Sequence, residues 1–297
     1  MRINAYILAA DPAWIEASVL SYYGMVDRIV VSYDESSTSW TGTPIPVGEC
    51  LSRLRAIDKD NKMVYFPGHY ARLDHHPMEN ETHQRQCALD EAGKDADWVL
   101  QLDTDEVLMS AVVFNSCLGD ADSGGFQALL YPARWIYQRV REGLYLERCG
   151  RFWRLQAGYP GPVAVRPGVW LKLARQCDVA TFRVDFSLES RTPVPTGDPT
   201  VHRAVTCAQA IAHYSWVRSH QEMLGKSKSS GHARDFSWEP EIRFWAWSAN
   251  YPDAATIISP LRRRAQVRWI RKAKIDSILP GGHAPREKDQ AEVPDGM

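Results

Sequence analysis

The chain opens on a short apolar run, Asn4–Leu8, of the kind that forms a buried strand. Helix punctuation follows: Asp11 as N-cap, Pro12 at the first helical position and Gly24 just past the end. Ile15, Val19, Tyr22 and Tyr23 recur at i, i+4, i+7 and i+8, which offers one apolar face to a sheet. RIVVSY, Arg28 to Tyr33, is a second, β-branched strand. Strand, helix and strand within about thirty residues predict a βαβ unit with parallel pairing and a right-handed crossover. The alternation continues with a helix over 48–57, a strand over 63–66, and a helix over 81–92 with Asn80 as N-cap and Gly93 just beyond. Then comes the mostly apolar run Trp98–Leu102, which reads as another buried strand.

Past Leu108 the pattern weakens. FQALLYPARWIY and RFWRLQ read as strands, AVRPGVWLKLA and TFRVDFSL fit either strand or helix, and 204–212 is expected to be helical. Pro260–Ile275 holds five Arg and two Lys without an acid, with Leu261, Val267, Trp269, Ile270 and Ile275 interspersed, and is expected to form an amphipathic helix. Such a helix can lie on anionic lipid, grip a phosphorylated or nucleic-acid acceptor, or simply pack by its apolar side. After Pro280 apolar periodicity is lost, so 280–297 is expected to be a disordered tail.

Composition narrows the class. With 297 residues and 44% hydrophobic content the chain can fill one large α/β domain or two smaller ones. A formal net charge of −1 argues neither for a nucleic-acid coat nor for an acidic solvating tail, and a nucleic-acid acceptor stays open. The six cysteines stand far apart with no CxxC or CxH pair, which argues against structural zinc and a compact disulfide framework. Reduced thiols in a cytosol are the default. The apolar segment before Asp11 is too short for a signal sequence or a membrane span, so the protein is expected in the cytoplasm, with peripheral contact at the inner membrane face left open.

The candidate chemistry lies at strand ends. Asp103, Asp105 and Glu106 follow the run Trp98–Leu102 directly, and acids so placed repel one another unless something positive stands between them. Two carboxylates at i and i+2 at a strand exit can approach one divalent cation, the usual way to hold Mg²⁺ or Mn²⁺ over a diphosphate. Asp34 ends the second strand, on the edge where parallel sheets bind ligands. It fits a ribose or base contact, or the cap of a turn.

In order along the chain, VVSYDESSTSWTG and then HQRQCALDEAGKDADWVLQLDTDEVL resemble the GT-A-fold glycosyltransferases, in particular family 2. The resemblance covers Arg2 to Leu108 and fades afterwards. It implies a three-layer α/β/α sandwich with a mainly parallel central sheet. It also implies a metal-dependent transferase that moves a sugar from a nucleotide-sugar donor, UDP-linked by preference, to a glycan, lipid-linked or other hydroxyl acceptor, with inversion expected. Under it, 1–110 would be the nucleotide-sugar half, 111–245 the acceptor half and 246–279 a basic helical extension. Asp34 would contact the nucleoside, with Ala9, Arg85 and Thr104 beside the donor, and Asp103 and Asp105 would serve the metal and the donor. Gln86 stands where the family often has Asn, and AADPAW replaces its common Asn-Glu pair.

Members of this fold often complete the metal site with a later His. His213 is the first choice, ahead of His232 and His202, while Arg218 and Lys226 are diphosphate candidates. An inverting transfer also needs a general base, for which Glu189 leads, with Asp185, Asp235 and Glu239 as further candidates. Two other classes compete. DTDEV also matches the nucleophile motif of haloacid-dehalogenase-type phosphatases, and a non-catalytic nucleotide-sugar-binding module would keep the same site. The letters DHH at Asp74–His76, and His69, His75, His76 and His83 together, suggest metal capture only if that His- and Pro-rich loop gathers them.

Overall fold

The computed structural model describes residues 1–194, 200–231, 233, 237–262 and 265–275. The elements run β1 (Ile3–Leu8), α1 (Ile15–Tyr22), β2 (Arg28–Asp34), α2 (Val47–Ile57), β3 (Met63–Gly68), α3 (Pro77–Ala92), β4 (Trp98–Leu100), β5 (Glu106–Leu108) and α4 (Ala111–Ser123). Then follow β6 (Ala128–Leu130), β7 (Ala133–Arg141), β8 (Leu144–Arg148), β9 (Ala164–Val165), β10 (Thr181–Asp185), β11 (Arg203–Ala204) and β12 (Ile211–His213). The last are α5 (His220–Ser229), α6 (Trp238–Asn250), α7 (Pro252–Ile258) and β13 (Ile270–Lys274).

Eight strands form one sheet in the order β11-β10-β6-β9-β4-β1-β2-β3. β1 pairs in parallel with β2 and β4, β2 with β3, and β10 with β6 and β11, while β9 alone runs antiparallel, between β4 and β6. Both faces are covered. Ile3, Ala5 and Ile7 pack with Ile15, Val19 and Leu54 of α1 and α2, whereas Tyr6 and Leu8 pack with Ala88, Leu89 and Ala92 of α3. Burial on both faces is why these strands read as unbroken apolar runs. The mixed α/β layering with a large, mainly parallel sheet is thus the expected fold class.

A second sheet, β13-β8-β7-β12-β5, abuts the first. The chain leaves the large sheet at Leu100 and enters the small one at Glu106, so residues 101–105 form the turn that joins the two. The expected strand Trp98–Leu102 therefore ends two residues early.

Several local expectations are corrected by tertiary contacts. α1 begins at Ile15, not Pro12, because Asp11 accepts from Ala13 N (3.1 Å) and pairs with Arg218 instead of capping. Trp14 takes the N-cap position and stacks on Tyr214, ring centroids 4.1 Å apart. α3 begins a turn early, at Pro77, where His76 and Glu79 form a reciprocal capping box; Asn80 lies inside the helix and ties Arg72 and its carbonyl. Gly93 keeps a right-handed φ of −71°, so it is not a left-handed C′ residue. RFWRLQ holds a 3₁₀ turn, Arg151–Trp153, in place of a strand, and 204–212 supplies strand ends in place of a helix. Nor do the described residues of 260–275 form the expected helix: a 3₁₀ turn spans Ser259–Leu261, and β13 closes the open edge of β8. Unpaired edge hydrogen bonds and the burial of Ile270 and Ala273 outweigh the helical spacing there. The expected tail, 280–297, lies outside the described residues.

Candidate functional site

Asp34 ends β2, Ala9 and Asp103 stand just past the carboxyl ends of β1 and β4, and all three line one cavity of about 1350 Å³. The crevice outside the carboxyl ends of parallel strands is the usual ligand position in such sheets. Thr104, Asp105, Arg85, Arg175, His213, Arg218 and Lys226 line it too.

The turn is locked by its own backbone. Asp103 N donates to Glu106 Oε2 and Glu106 N donates to the Asp103 carbonyl, each at 3.0 Å. Glu106 is fully buried, and Arg175 clamps it with two bonds of 2.6 and 2.5 Å. Asp103 Oδ1 accepts from Arg85 Nη2 at 2.7 Å, and that same nitrogen donates to Glu81 Oε1 one helical turn earlier at 2.9 Å. Asp105 faces the small sheet. Its Oδ2 accepts from Arg218 Nη2 and Lys226 Nζ, both at 2.8 Å, and its Oδ1 lies 3.2 Å from His213 Nε2. Arg218 reaches on to Asp11 at 2.5 Å, and Lys226 to Ser215 Oγ at 2.8 Å. The Trp135 and His213 rings meet in a T-shaped contact, with centroids 5.2 Å apart.

The titration behaviour follows from this cluster. Burial alone would raise the carboxyl pKa of Asp105, yet Lys226, His213 and Arg218 hold it well below the usual carboxylate range. Asp103 is lowered in the same way, with Arg85 and Arg175 overcoming burial. Burial would lower His213, but Asp105, Glu106 and Asp103 outweigh it and raise its pKa above the ordinary value.

A divalent cation was expected at Asp103, Asp105 and His213, and the donor set does not fit one. Asp103 is turned to Arg85, Asp105 Oδ2 already serves two cations, and the remaining Asp105 oxygen faces His213. An entering Mn²⁺ or Mg²⁺ would meet neutralised oxygens and the positive charges that neutralise them. Among the described residues no three His, Cys, Asp or Glu side chains could hold a metal ion. At these residues the structure shows ion pairs in place of a preformed metal site.

Other expected residues fare differently. Asp34 is buried with both oxygens engaged: Oδ1 accepts from the N–H groups of Ser36 and Thr38 (3.1 and 3.2 Å), and Oδ2 from those of Tyr70 and Ala71 (2.8 and 3.3 Å). It ties the loop after β2 to the one after β3, so that a ligand in the cavity meets the loop it organises. Neither base candidate on the 181–190 segment lines the cavity: Asp185 is buried against Arg183 (2.6 Å), and Glu189 is exposed. Asp235 and His232 lie outside the described residues. His202 accepts from Arg183 N and stacks on Phe182, Glu239 pairs with Arg243 at the surface, and His76 caps α3. Sequence reading missed Glu81, Arg175 and Asp11. Of these, only Glu81 carried a signal, its i,i+4 spacing to Arg85 on one helix.

No family model matches the sequence, and no curated protein matches it. Solved structures with partial similarity include 4-diphosphocytidyl-2C-methyl-D-erythritolsynthase from Anaerococcus prevotii DSM 20548, at 14% identity over 56% of this chain and 70% of that one, with a TM-score of 0.33. CMP:2-keto-3-deoxy-manno-octonic acid synthetase complexed with CTP shares 14% identity over 45% of this chain and 53% of that one, TM-score 0.29. Mannose-1-phosphate geranyltransferase from Thermus thermophilus shares 11% over 57% and 51%, TM-score 0.28. Overlaps this partial carry no statement about chemistry.

Proposed function

We propose that the cavity binds a nucleotide sugar through its diphosphate and that the protein transfers the glycosyl group to an acceptor hydroxyl. The observation that supports this most is the Asp103–Asp105 turn at the carboxyl edge of the parallel sheet, with Arg85, Arg218 and Lys226 converging on it from three separate elements. Cations gathered in a partly desolvated cavity suit the charge that grows on a departing diphosphate. On binding, diphosphate oxygens would share Lys226 and Arg218 with Asp105, while the loop held by Asp34 would flank the nucleoside.

A binding module without turnover is the second reading, favoured by the placement of Asp185 and Glu189 away from the cavity. A phosphatase using Asp103 as nucleophile is less supported, because Asp103 is ion-paired with Arg85 and the adjacent Glu106 is clamped by Arg175. Thermal shift against phosphate, vanadate, and uridine, cytidine, guanosine and adenosine diphosphates with their sugar conjugates, in EDTA or in Mn²⁺, separates these readings when run beside donor hydrolysis. A rise in Tm with one nucleotide sugar, together with its hydrolysis, is expected. Stabilisation without hydrolysis leaves the binding module, a response to phosphate or vanadate alone leaves the phosphatase, and no response to any nucleotide removes the proposal.

A further inference from the structure

Away from the ion cluster, the 3₁₀ turn Arg151–Trp153 and the segment around α7 build a surface that the cavity does not use. Phe152 and Trp153 are 62% and 43% exposed, and both stand against Trp269, with ring centroids 5.9 and 5.2 Å away. Trp153 Nε1 donates to the Thr256 carbonyl at 3.2 Å, which joins this turn to α7. From there Ile257 and Leu261, 69% and 75% exposed, extend the apolar area. Phe152 and Trp153 also occupy the left-handed region, at φ 59° and 57°, which bulky L-residues adopt only where their surroundings enforce it. The backbone is thus held in an unfavourable conformation while much of both rings remains in solvent.

The charge around this area is one-sided. Arg151 lies over the Phe152 ring at 4.8 Å, Arg154 is exposed, and exposed Arg268 donates to the Pro260 carbonyl at 3.4 Å. Neighbouring acids are already paired: Asp253 with Lys272, Glu147 with Arg134 and Arg271, and Glu241 with Arg262.

We propose that this face docks on an anionic bilayer. Phe152, Trp153, Ile257 and Leu261 would enter the boundary between headgroups and acyl chains, and Arg151, Arg154 and Arg268 would meet lipid phosphates. Aromatic rings interleaved with arginines are the composition that settles at a membrane–water interface. Exposed aliphatic side chains, in contrast, offer nothing to a glycan. No helix among the described residues is long and apolar enough to cross a membrane, so the contact is peripheral. The amphipathic helix expected over 260–275 is not its means; two 3₁₀ turns and the end of α7 present the apolar side chains instead. Arg148, Gln156 and Gln266 line the cavity and flank this surface along the chain, so docking brings the cavity close to the lipid. That acceptors are then met at the bilayer rests on the transferase reading; the docking itself does not.

The test is co-sedimentation of the full chain with vesicles of phosphatidylcholine alone or mixed with phosphatidylglycerol. Binding is expected only to the mixed vesicles and should weaken with salt. Arg151→Glu should reduce partitioning by at least the roughly fivefold that one basic residue contributes at an anionic surface. Phe152→Ser and Leu261→Ser should reduce it as well, each with a cooperative thermal melt like that of the parent. The proposal is overturned if mixed vesicles are not bound, if neutral vesicles bind equally, or if these folded variants partition unchanged. Saturable binding of a soluble oligosaccharide that Phe152→Ser abolishes would also overturn it.

Discussion

Asp105 Oδ1 and His213 Nε2 stand 3.2 Å apart because β12 runs antiparallel to β5 with His213 in register opposite Glu106. The pairing of two short strands thus brings a histidine to the acidic turn, and the segment that follows carries Arg218 and Lys226 onto the same carboxylate.

Removing the charge of Asp105 should be costly. In Asp105→Asn, buried Arg218 and partly buried Lys226 lose their shared anion, and breaking a buried ion pair from one side costs about 3–5 kcal/mol. Urea unfolding of the two proteins should show the difference; equal midpoints would mean that the cluster is not closed in solution.

His213 should make stability fall as pH rises through the neutral range. Its native pKa is raised above an unfolded value of about 6.5, so the native state binds the proton more tightly. The resulting stabilisation is complete below about 6.5 and is lost as pH passes the raised native pKa. Melting temperature against pH should decline over that window for the parent and stay flatter for His213→Gln.

Lys226 is the cation of the cluster that a ligand can take over at least structural cost, its side chain being 22% exposed. Lys226→Ala should lower the melt by less than Asp105→Asn, because Arg218 and His213 still face Asp105, and should weaken binding of the preferred nucleoside diphosphate by about tenfold to a hundredfold, the value of a charge-assisted hydrogen bond. Calorimetric titration in EDTA measures this directly, and affinity that survives the substitution would remove Lys226 from the site.

Asp34→Ala should loosen the loop after β2 before it unfolds the protein. Four backbone N–H groups lose their acceptor, for an expected cost of about 2–3 kcal/mol after water replaces part of the loss. Limited proteolysis should cut within 35–46 under conditions where the parent is resistant.

Much of this protein is legible in the sequence wherever the deciding forces are local or periodic. Runs such as Arg28–Tyr33 are apolar throughout because both faces of the sheet are covered, and the acids after Leu102 mark a strand exit whatever their partners are. Tertiary structure decided the rest. Arg218 reaches Asp105 and Asp11, and Arg175 reaches Glu106, across long stretches of chain that no spacing rule spans. The same long-range contacts pair the carboxylates of the Asp103–Asp105 turn with Arg85, Arg218 and Lys226. At Ile270–Lys274 helical spacing lost to the open edge of β8, because backbone groups at a sheet edge need partners and local propensity is worth only a few tenths of a kcal/mol, roughly, per residue.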